Sequence, residues 1–355
     1  MRILFKRLWV LVPMLILQAC PWGGSGYNYH TGSFPAEPVN FTEMNTEYDD
    51  YNATAPTLGE SVPLCFSSNR SSKGADFDLV YKPFNIVFSK TTGELYIGTE
   101  ANGWGEWMLL NSNLLNAVRK INTPDDELGP FLMYQDRISN ESNQYYNSFV
   151  LLYSNNENGN QDVRFTHNTD GIEYEDSQPV NFLNSEADDA YPCFNAERSS
   201  IYFCSDRDQN FDIYRVKTDP EKNILEVLGS EESLPIEKDS ILSSEWDDKC
   251  PFIAYNGSYE AFYEQELHNM LVFASNREGG FGGYDLYYSR LEDGAWTAPI
   301  NFGAAINTEY DEYRPIVRPQ YDFTNDFMIF SSNRPGGLGG FDLYYVGIPE
   351  IGDPF

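Results

Sequence analysis

The chain has 355 residues, of which 41% are hydrophobic and 15% aromatic, and its formal net charge at pH 7 is −31. Such an acidic composition excludes nucleic acid as a partner, because binding to phosphates requires a basic footprint. It also disfavours an anionic membrane surface. The length is sufficient to bury a large core, and the abundance of Tyr and Phe favours packed β-sheets.

Residues 1–19 have the features of an export signal. An apolar run of ten residues, Leu8–Leu17, follows a basic start at Arg2, Lys6 and Arg7. A bilayer needs about 20 apolar residues, so we expect this segment to be processed and not to span a membrane. Its removal takes away three basic and no acidic residues and leaves a net charge of about −34.

The end of this segment, Leu17-Gln18-Ala19-Cys20, resembles a bacterial lipobox. The resemblance implies cleavage before Cys20 and lipidation of its thiol. An ordinary signal peptide with an incidental cysteine is the alternative. Residues 20–37 are rich in Gly, Ser and Pro, so we expect a flexible tether there, with the folded domain over residues 38–355.

Five copies of one strand–turn–strand unit follow. The segment Phe273–Tyr288 is repeated almost unchanged as Phe330–Tyr345, and weaker copies begin at Phe66, Tyr153 and Phe203. Recurring self-similarity along a chain marks a repeat fold. The unit ends on a strand that opens with Asp-Leu-Tyr or a close variant of it.

Two further sequence motifs flank most of the repeat units. An acidic turn precedes the first strand, as in Asp188-Asp189 and Asp247-Asp248, and a Pro-φ-Asn-Phe strand follows the third, as in Pro299–Phe302. Four short strands separated by turns make one propeller blade. The sequence therefore predicts an all-β propeller of four-stranded blades. Five blades are favoured, with Phe84–Trp104 as an inserted hairpin, and a degenerate sixth blade at that segment is the alternative.

The two ends of the repeat array predict how the ring closes. The last unit has no outer strand of its own, whereas the folded part begins with an isolated outer strand, Pro38–Phe41. Pairing of this strand with the last unit would remove two exposed sheet edges. We therefore expect the N-terminal strand to complete the last blade.

The Ser-Asn-Arg…Asp-Leu-Tyr and Asp-Asp…Pro phrases resemble the PD40, or WD40-like, β-propeller repeats shared with the TolB periplasmic propeller family. The chain is also similar to many lipoproteins of Bacteroidetes bacteria, and the similarity covers about residues 38–348. We assign structural roles to the repeated charged residues, because catalytic groups are not expected in every blade. They are Arg70, Asp78, Asp162, Arg207, Asp212, Arg277, Asp285, Arg334 and Asp342.

Signatures of catalysis and of cofactors are scarce. The chain has three histidines, His30, His167 and His268, and none lies near a repeated acidic phrase. The spacing of Cys65, Cys193, Cys204 and Cys250 matches no zinc pattern, and buried free thiols are favoured over disulfides. The acidic turns could hold Ca²⁺, but Asp side chains that cap their own turns are the favoured interpretation. No cofactor and no metal site are predicted.

The favoured function is a non-enzymatic, lipid-anchored scaffold that binds envelope proteins. We expect it at the bacterial outer membrane, facing the periplasm and touching the membrane through the lipid anchor alone. The alternative is a glycan-binding or glycoside-hydrolysing propeller. Three loop insertions are predicted on the face opposite the acidic turns, and their aromatic residues are the candidate partner-binding groups. They are Tyr96, Trp104, Tyr145, Tyr146, Tyr259, Phe262 and Tyr263.

Overall fold

The computed structural model describes residues 27–350 apart from 57, 59, 100–112, 140–144, 169–173, 256–268 and 321. It is an all-β protein whose strands form a β-propeller, as predicted. Within the described ranges, no helix is long and apolar enough to cross a membrane.

The first seven strands are β1 (Val39–Asn40), β2 (Asp50–Thr54), β3 (Ser61–Val62), β4 (Cys65–Ser68), β5 (Asp78–Tyr81), β6 (Phe84–Phe88) and β7 (Leu95–Gly98). Strands β2, β4 and β5 form one antiparallel sheet, and β3, β6 and β7 form a second, smaller one. Strands β6 and β7 are the hairpin predicted within Phe84–Trp104. The five-blade count stays a prediction, because this hairpin belongs to a sheet of its own.

The second unit starts with helix α1 (Asn113–Ile121) and continues with β8 (Glu127–Ser139), β9 (Tyr145–Asn155), β10 (Asp162–His167) and β11 (Gln178–Pro179). These four strands form a sheet in the order β11-β10-β9-β8. Helix α1 buries Leu114, Ala117, Val118 and Ile121. This spacing places the four side chains on one helix face, and they share a core cluster with Leu79 of β5.

The third and fourth units repeat the pattern. The third consists of β12 (Asp189–Phe194), β13 (Ser200–Ser205), β14 (Asp212–Lys217), helix α2 (Ile224–Leu228) and β15 (Ile236–Lys238). The fourth consists of β16 (Asp248–Tyr255), β17 (Asn269–Ser275), β18 (Asp285–Glu292), β19 (Ala295–Trp296) and β20 (Ile300–Asn301). Both β19 and β20 pair with β18. The middle strand β17 is buried at every position, which explains its continuous apolar run.

The last unit consists of β21 (Glu312–Arg318), β22 (Asp326–Ser332) and β23 (Asp342–Ile348). Strand β1 supplies its fourth strand, with Val39 opposite Tyr345 and Asn40 opposite Tyr344. The predicted closure by the N-terminal strand is therefore confirmed. Phe41, directly after β1, is buried and packs edge-on against Tyr345 with ring centroids 5.1 Å apart.

The described part of the predicted tether, residues 27–37, packs against the propeller. Phe34 is 2% exposed and stacks on Phe323 with ring centroids 3.9 Å apart. The backbone N–H groups of Asn28 and Tyr29 both donate to the carbonyl of Lys90. Burial of Phe34 holds this segment against the propeller, because transfer of an apolar ring out of water is favourable. Residues 27–37, which the sequence assigned to a flexible tether, therefore pack on the propeller.

Each first strand carries a bulge at its third residue. The register shifts at this point in β2, β8, β12, β16 and β21. The bulged residues all have positive φ, between 48° and 59°, and they are Asn52, Gly129, Tyr191, Cys250 and Arg314. Glycine adopts this conformation without strain, whereas the other four do so because the blade geometry imposes it. The bulge bends each first strand at the same level of the propeller.

Candidate functional site

The repeated arginines hold the acidic turns. Arg70, Arg207, Arg277 and Arg334 form ion pairs with Asp50, Asp189, Asp248 and Glu312, respectively, the acids that open the first strands. All four carboxylates are fully buried, and each guanidinium lies over a Phe ring of its own blade at 5.1 or 5.2 Å. The partners of these arginines are therefore the acids of the first strands, not the aspartates that open the third strands. These arginines are fully occupied in packing the blade.

Two of the aspartates that open the third strands satisfy backbone donors of their turns. Asp285 accepts hydrogen bonds from the N–H groups of Phe281 at 2.7 Å and Gly282 at 3.1 Å. Asp342 receives the equivalent pair in the last blade. Asp212 instead forms an ion pair with Lys238. A short acceptor at a hairpin end suits this task, so these residues are positioned for structure.

The second blade departs from this scheme at Glu127. Glu157 stands where the other blades have arginine, and Glu127 accepts hydrogen bonds from Asn155 Nδ2 at 2.7 Å and Thr123 Oγ1 at 2.7 Å. Burial without a cation raises the pKa of Glu127 to about 7. Such a pKa would suit a general acid, but the side chain is fully buried and does not reach a cavity.

Aromatic rings close the channel at the end that carries the acidic turns. The ring of Tyr313 lies 6.1 Å from Tyr191, 5.3 Å from Tyr284 and 6.5 Å from Tyr51, centroid to centroid. Burial raises the pKa of Tyr313 well above its ordinary value. None of these rings lines either of the two cavities described below. The acidic turns surround a packed aromatic cluster.

The opposite end of the channel is open. A cavity of about 250 Å³ lies where the first strands end, and every one of the five repeat units contributes to its lining. We call it the axial pocket. Each unit contributes at least one lining residue: Pro56 follows β2, Phe131 and Ile253 lie within β8 and β16, and Phe194 and Arg318 end β12 and β21. Concave sites at such axial positions are the usual place for ligands.

The axial pocket combines aromatic surface with hydrogen-bond donors. The Phe131 and Phe194 ring centroids are 6.5 Å apart, and Arg318 lies 4.7 Å above the ring of Phe252. Arg198 reaches the rim and donates to the carbonyl of Tyr134 at 3.0 Å. An apolar lining with a few fixed polar groups is typical of small-molecule sites.

A second cavity, of about 300 Å³, lies at the outer edge between β15 and β19. Of its charged groups, Arg215 pairs with Glu237, Lys238 pairs with Asp212, and Asp239 accepts hydrogen bonds from the backbone N–H groups of Ile241 and Leu242. Trp296 in its wall donates to the hydroxyl of Tyr202 at 3.1 Å. Since these groups satisfy one another, the axial pocket is the better candidate.

Most of the predicted partner-binding aromatics fall outside the described residues. Trp104, Tyr259, Phe262 and Tyr263 are not described, and for Tyr145 and Tyr146 the structure describes the backbone of β9 without the side chains. Tyr96 lies half-buried on β7. Their role as a binding face stays a prediction.

Sequence reasoning missed the residues that line the channel. Phe131, Phe194 and Arg318 belong to strands whose apolar pattern predicted only burial. Arg314 carried a signal: it stands before Pro315, at the repeat position that Gly129, Tyr191 and Cys250 occupy in other blades. A charged residue at a repeat position that is uncharged in the other blades indicates that this blade differs from them there.

Comparison with solved structures identifies relatives of this fold. A glycoside hydrolase aligns over 93% of this chain and 92% of its own length at 9% identity, with a TM-score of 0.50. The catalytic domain of a GH62 α-L-arabinofuranosidase from Coprinopsis cinerea has 9% identity and a TM-score of 0.49, covering 90% of this chain and 98% of its own. The fold is one on which glycoside hydrolases are built.

An exo-β-1,3-galactanase from Clostridium thermocellum shares 11% identity over 88% of this chain and 62% of its own, with a TM-score of 0.47. At these identities the likeness concerns the fold alone. No family model matches the chain, and no curated protein matches it either.

These neighbours correct the predicted PD40 or TolB-type membership. A solved structure with a TM-score of 0.50 is a glycoside hydrolase, and no family model supports the repeat family. The physical reason lies in the repeats themselves. Their Arg, Asp and Ser residues make the contacts that hold a blade and its turns, so their recurrence reports blade geometry and does not by itself identify a repeat family.

The prediction of a non-enzymatic, protein-binding scaffold is also wrong. It took the five-fold repetition of acidic turns as an argument against an enzyme, yet a glycoside hydrolase shares this fold over 93% of the chain. The second acid of each turn is fully buried, and the first accepts a backbone hydrogen bond from the neighbouring unit, so the repeated acids bear on neither outcome. The alternative, a propeller that acts on carbohydrate, is the better supported one.

Proposed function

We propose that this propeller is a carbohydrate-active protein that takes a glycan into the axial pocket. The observation that carries the proposal is the pocket itself, to which all five repeat units contribute. It is the point where side chains from every blade meet at one cavity. A site of this kind is held by the whole ring and is therefore rigid, as specific ligand recognition requires.

The lining suits a sugar. A pyranose or furanose ring presents an apolar C–H face, which packs against aromatic side chains such as Phe131 and Phe194. The hydroxyl groups of a sugar accept and donate hydrogen bonds. Asn195, Arg198 and Arg318 line the pocket and are the candidate partners for them. A volume of about 250 Å³ accommodates one residue at the end of a chain, not a long internal segment.

Hydrolysis is the more demanding form of the proposal, because it requires bond cleavage in addition to binding. Glycoside hydrolysis ordinarily uses two carboxyl groups on opposite sides of the scissile bond. The described lining of the axial pocket contains no carboxylate, so the lining accounts for binding and not for bond cleavage. The activities named for structures of this fold, on arabinose-, galactose- and fructose-containing glycans, define the first substrates to test.

The test uses the purified protein and two matched tryptophan variants. Ala196 is half-buried in the pocket lining, so Ala196→Trp fills the cavity without removing a core contact. Ala75→Trp makes the same change at an exposed turn between β4 and β5, away from the pocket. Glycan-array binding and release of reducing sugar are the two readouts.

We expect the parent and Ala75→Trp to bind the same glycan, and Ala196→Trp to lose at least about tenfold in affinity, which corresponds to about 1.4 kcal/mol. Sugar release that follows the same order would establish hydrolysis. Absence of any bound glycan in the parent, or equal binding by both variants, would overturn the proposal.

A further inference from the structure

Arg314 lies in the middle of the channel and is fully buried. It occupies the bulge of β21 with φ of 48°. One of its terminal nitrogens donates to the carbonyl of Pro130 at 2.9 Å and the other to the carbonyl of Pro251 at 3.4 Å. Its guanidinium carbon lies 5.6 Å from the centroid of the Tyr191 ring. The side chain thus crosses the channel and joins three blades.

The positive charge of Arg314 has no counter-ion among the described residues. In the part of the chain that the structure describes, no carboxylate lies within 4.0 Å of it, whereas Arg70, Arg207, Arg277 and Arg334 each have one. Its Nε–H is also buried without a partner. A buried, unpaired charge is costly, and carbonyl oxygens compensate only part of it.

The ionisable groups around Arg314 stay neutral. Burial raises the pKa of the Cys250 thiol to about 11 and that of the Cys193 thiol to about 12, although the guanidinium acts in the opposite direction. Burial likewise raises the pKa of Tyr191 and of Tyr313 well above the ordinary tyrosine value. None of these groups supplies a negative charge near neutral pH.

A second orphaned polar group meets the same tyrosine. Asn52, on the bulge of β2, is fully buried, and its amide lies 3.4 Å from the Tyr191 hydroxyl. Its Oδ1 is buried without a partner. The oxygen and nitrogen of an amide are interchangeable by a 180° rotation. After that rotation the Tyr191 hydroxyl donates to Oδ1, and the amide N–H₂ becomes a free donor in the channel.

We propose that the channel holds one small monovalent anion of the chloride class, bound by the Arg314 guanidinium and the Asn52 amide. The site supplies what each partner lacks: a counter-charge for Arg314 and an acceptor for its Nε–H and for Asn52. Full burial restricts the ligand to a small ion and excludes a sugar. The site is separate from the axial pocket, which Arg314 does not line, so it does not depend on the proposed function.

Two experiments on the parent protein test the site. Thermal unfolding is measured in sodium chloride and in sodium gluconate at constant ionic strength. A crystal grown with bromide is examined for anomalous scattering. We expect the Tm to rise by about 5 °C in chloride and then to saturate, and a bromide peak within hydrogen-bond distance of Arg314. Bromide on the surface only, or equal Tm in the two salts, would overturn the proposal in favour of water or an unfilled channel.

Variants assign the effect to the residue. Arg314→Gln removes the charge and keeps one donor, and Arg290→Gln is the control, since Arg290 lies over the Tyr288 ring on the outer side of its blade at 5.9 Å. The chloride-dependent rise in Tm should vanish in Arg314→Gln and persist in Arg290→Gln. Persistence in both would contradict the assignment. If Arg314→Gln does not fold, the two measurements on the parent still decide.

Discussion

The backbone N–H of Phe341, in the last repeat unit, donates a hydrogen bond of 2.8 Å to a carboxylate oxygen of Asp49, in the first. Asp126, Asp188, Asp247 and Asp311 accept the same bond from Phe77, Gln161, Phe211 and Tyr284 of the preceding unit. The first acid of every turn therefore joins one unit to the next, and the ring of units closes between the two ends of the chain.

Loss of the closing strand should destabilise the whole ring. Phe41→Ala removes a buried ring that packs against Phe84 and Tyr345, and we expect a loss of about 3–5 kcal/mol. The Tm should fall by on the order of 10 °C in a thermal melt. Phe281→Ala, at a ring that is 49% exposed, is the matched control. Equal melting of both variants would show that closure contributes little.

The buried ion pairs should be sensitive to loss of one partner only. Arg277→Met leaves the fully buried Asp248 without its cation, and we expect a loss of about 3–5 kcal/mol in urea denaturation. The double variant Arg277→Met with Asp248→Leu should recover part of that loss, because no buried charge remains. A double variant less stable than the single one would contradict this account.

Glu127 should make stability depend on pH. Its pKa is about 7 in the folded chain against an ordinary 4.5, with burial as the main cause. The folded state therefore holds the proton more tightly, and the free energy of unfolding falls as pH rises from about 4.5 to 7. We expect the fall to amount to roughly 3 kcal/mol, at about 1.4 kcal/mol per pKa unit.

Urea denaturation at pH 5 and pH 8 measures this difference. Glu127→Gln should abolish most of it, because an amide does not ionise. Glu157→Gln removes a carboxylate from an exposed position nearby and serves as the control. An unchanged pH dependence in Glu127→Gln would assign the effect to other groups.

The four cysteines of the folded domain should be unreactive in the native protein. Cys65, Cys193, Cys204 and Cys250 are free and buried, and burial raises the pKa of the Cys65 thiol to about 12. Thiolate is the reactive form. A thiol reagent should therefore label none of them until denaturant is added, and all four afterwards. Labelling of a native thiol would reveal local opening of its blade.

The membrane anchor stays a proposal that one substitution tests. If Cys20 carries the lipid, Cys20→Ala should move the protein from the membrane fraction into the soluble periplasmic fraction. Two further expectations depend on this anchor: that the protein faces the periplasm, and that its partners are envelope proteins. Retention of the variant in washed membranes would show that another feature holds the protein there.

Local chemistry explains what could be predicted for the repeats. The apolar run of β22, the Gly-rich turn before Asp342 and the isolated strand β1 each carry their own signal: hydrophobic pattern, turn residues and an unpaired edge. The strand pattern repeats five times and the unpaired strand stands once at the start, so the propeller and its closure were predictable. The partner of Arg277 was not, because Asp248 and Asp285 are both acidic neighbours and only the turn geometry chooses between them.

By itself, the sequence determined the blade, the order of its strands and the joining of the two ends, since these depend on contacts between residues close in the chain or in matching repeats. The tertiary structure alone decided what lies on the axis. Pro56, Phe131, Phe194, Ile253 and Arg318 meet in one pocket, and Arg314 and Asn52 meet at Tyr191, because the ring brings together first strands that lie about 60 residues or more apart. No local pattern records such meetings, because closure of the ring creates them.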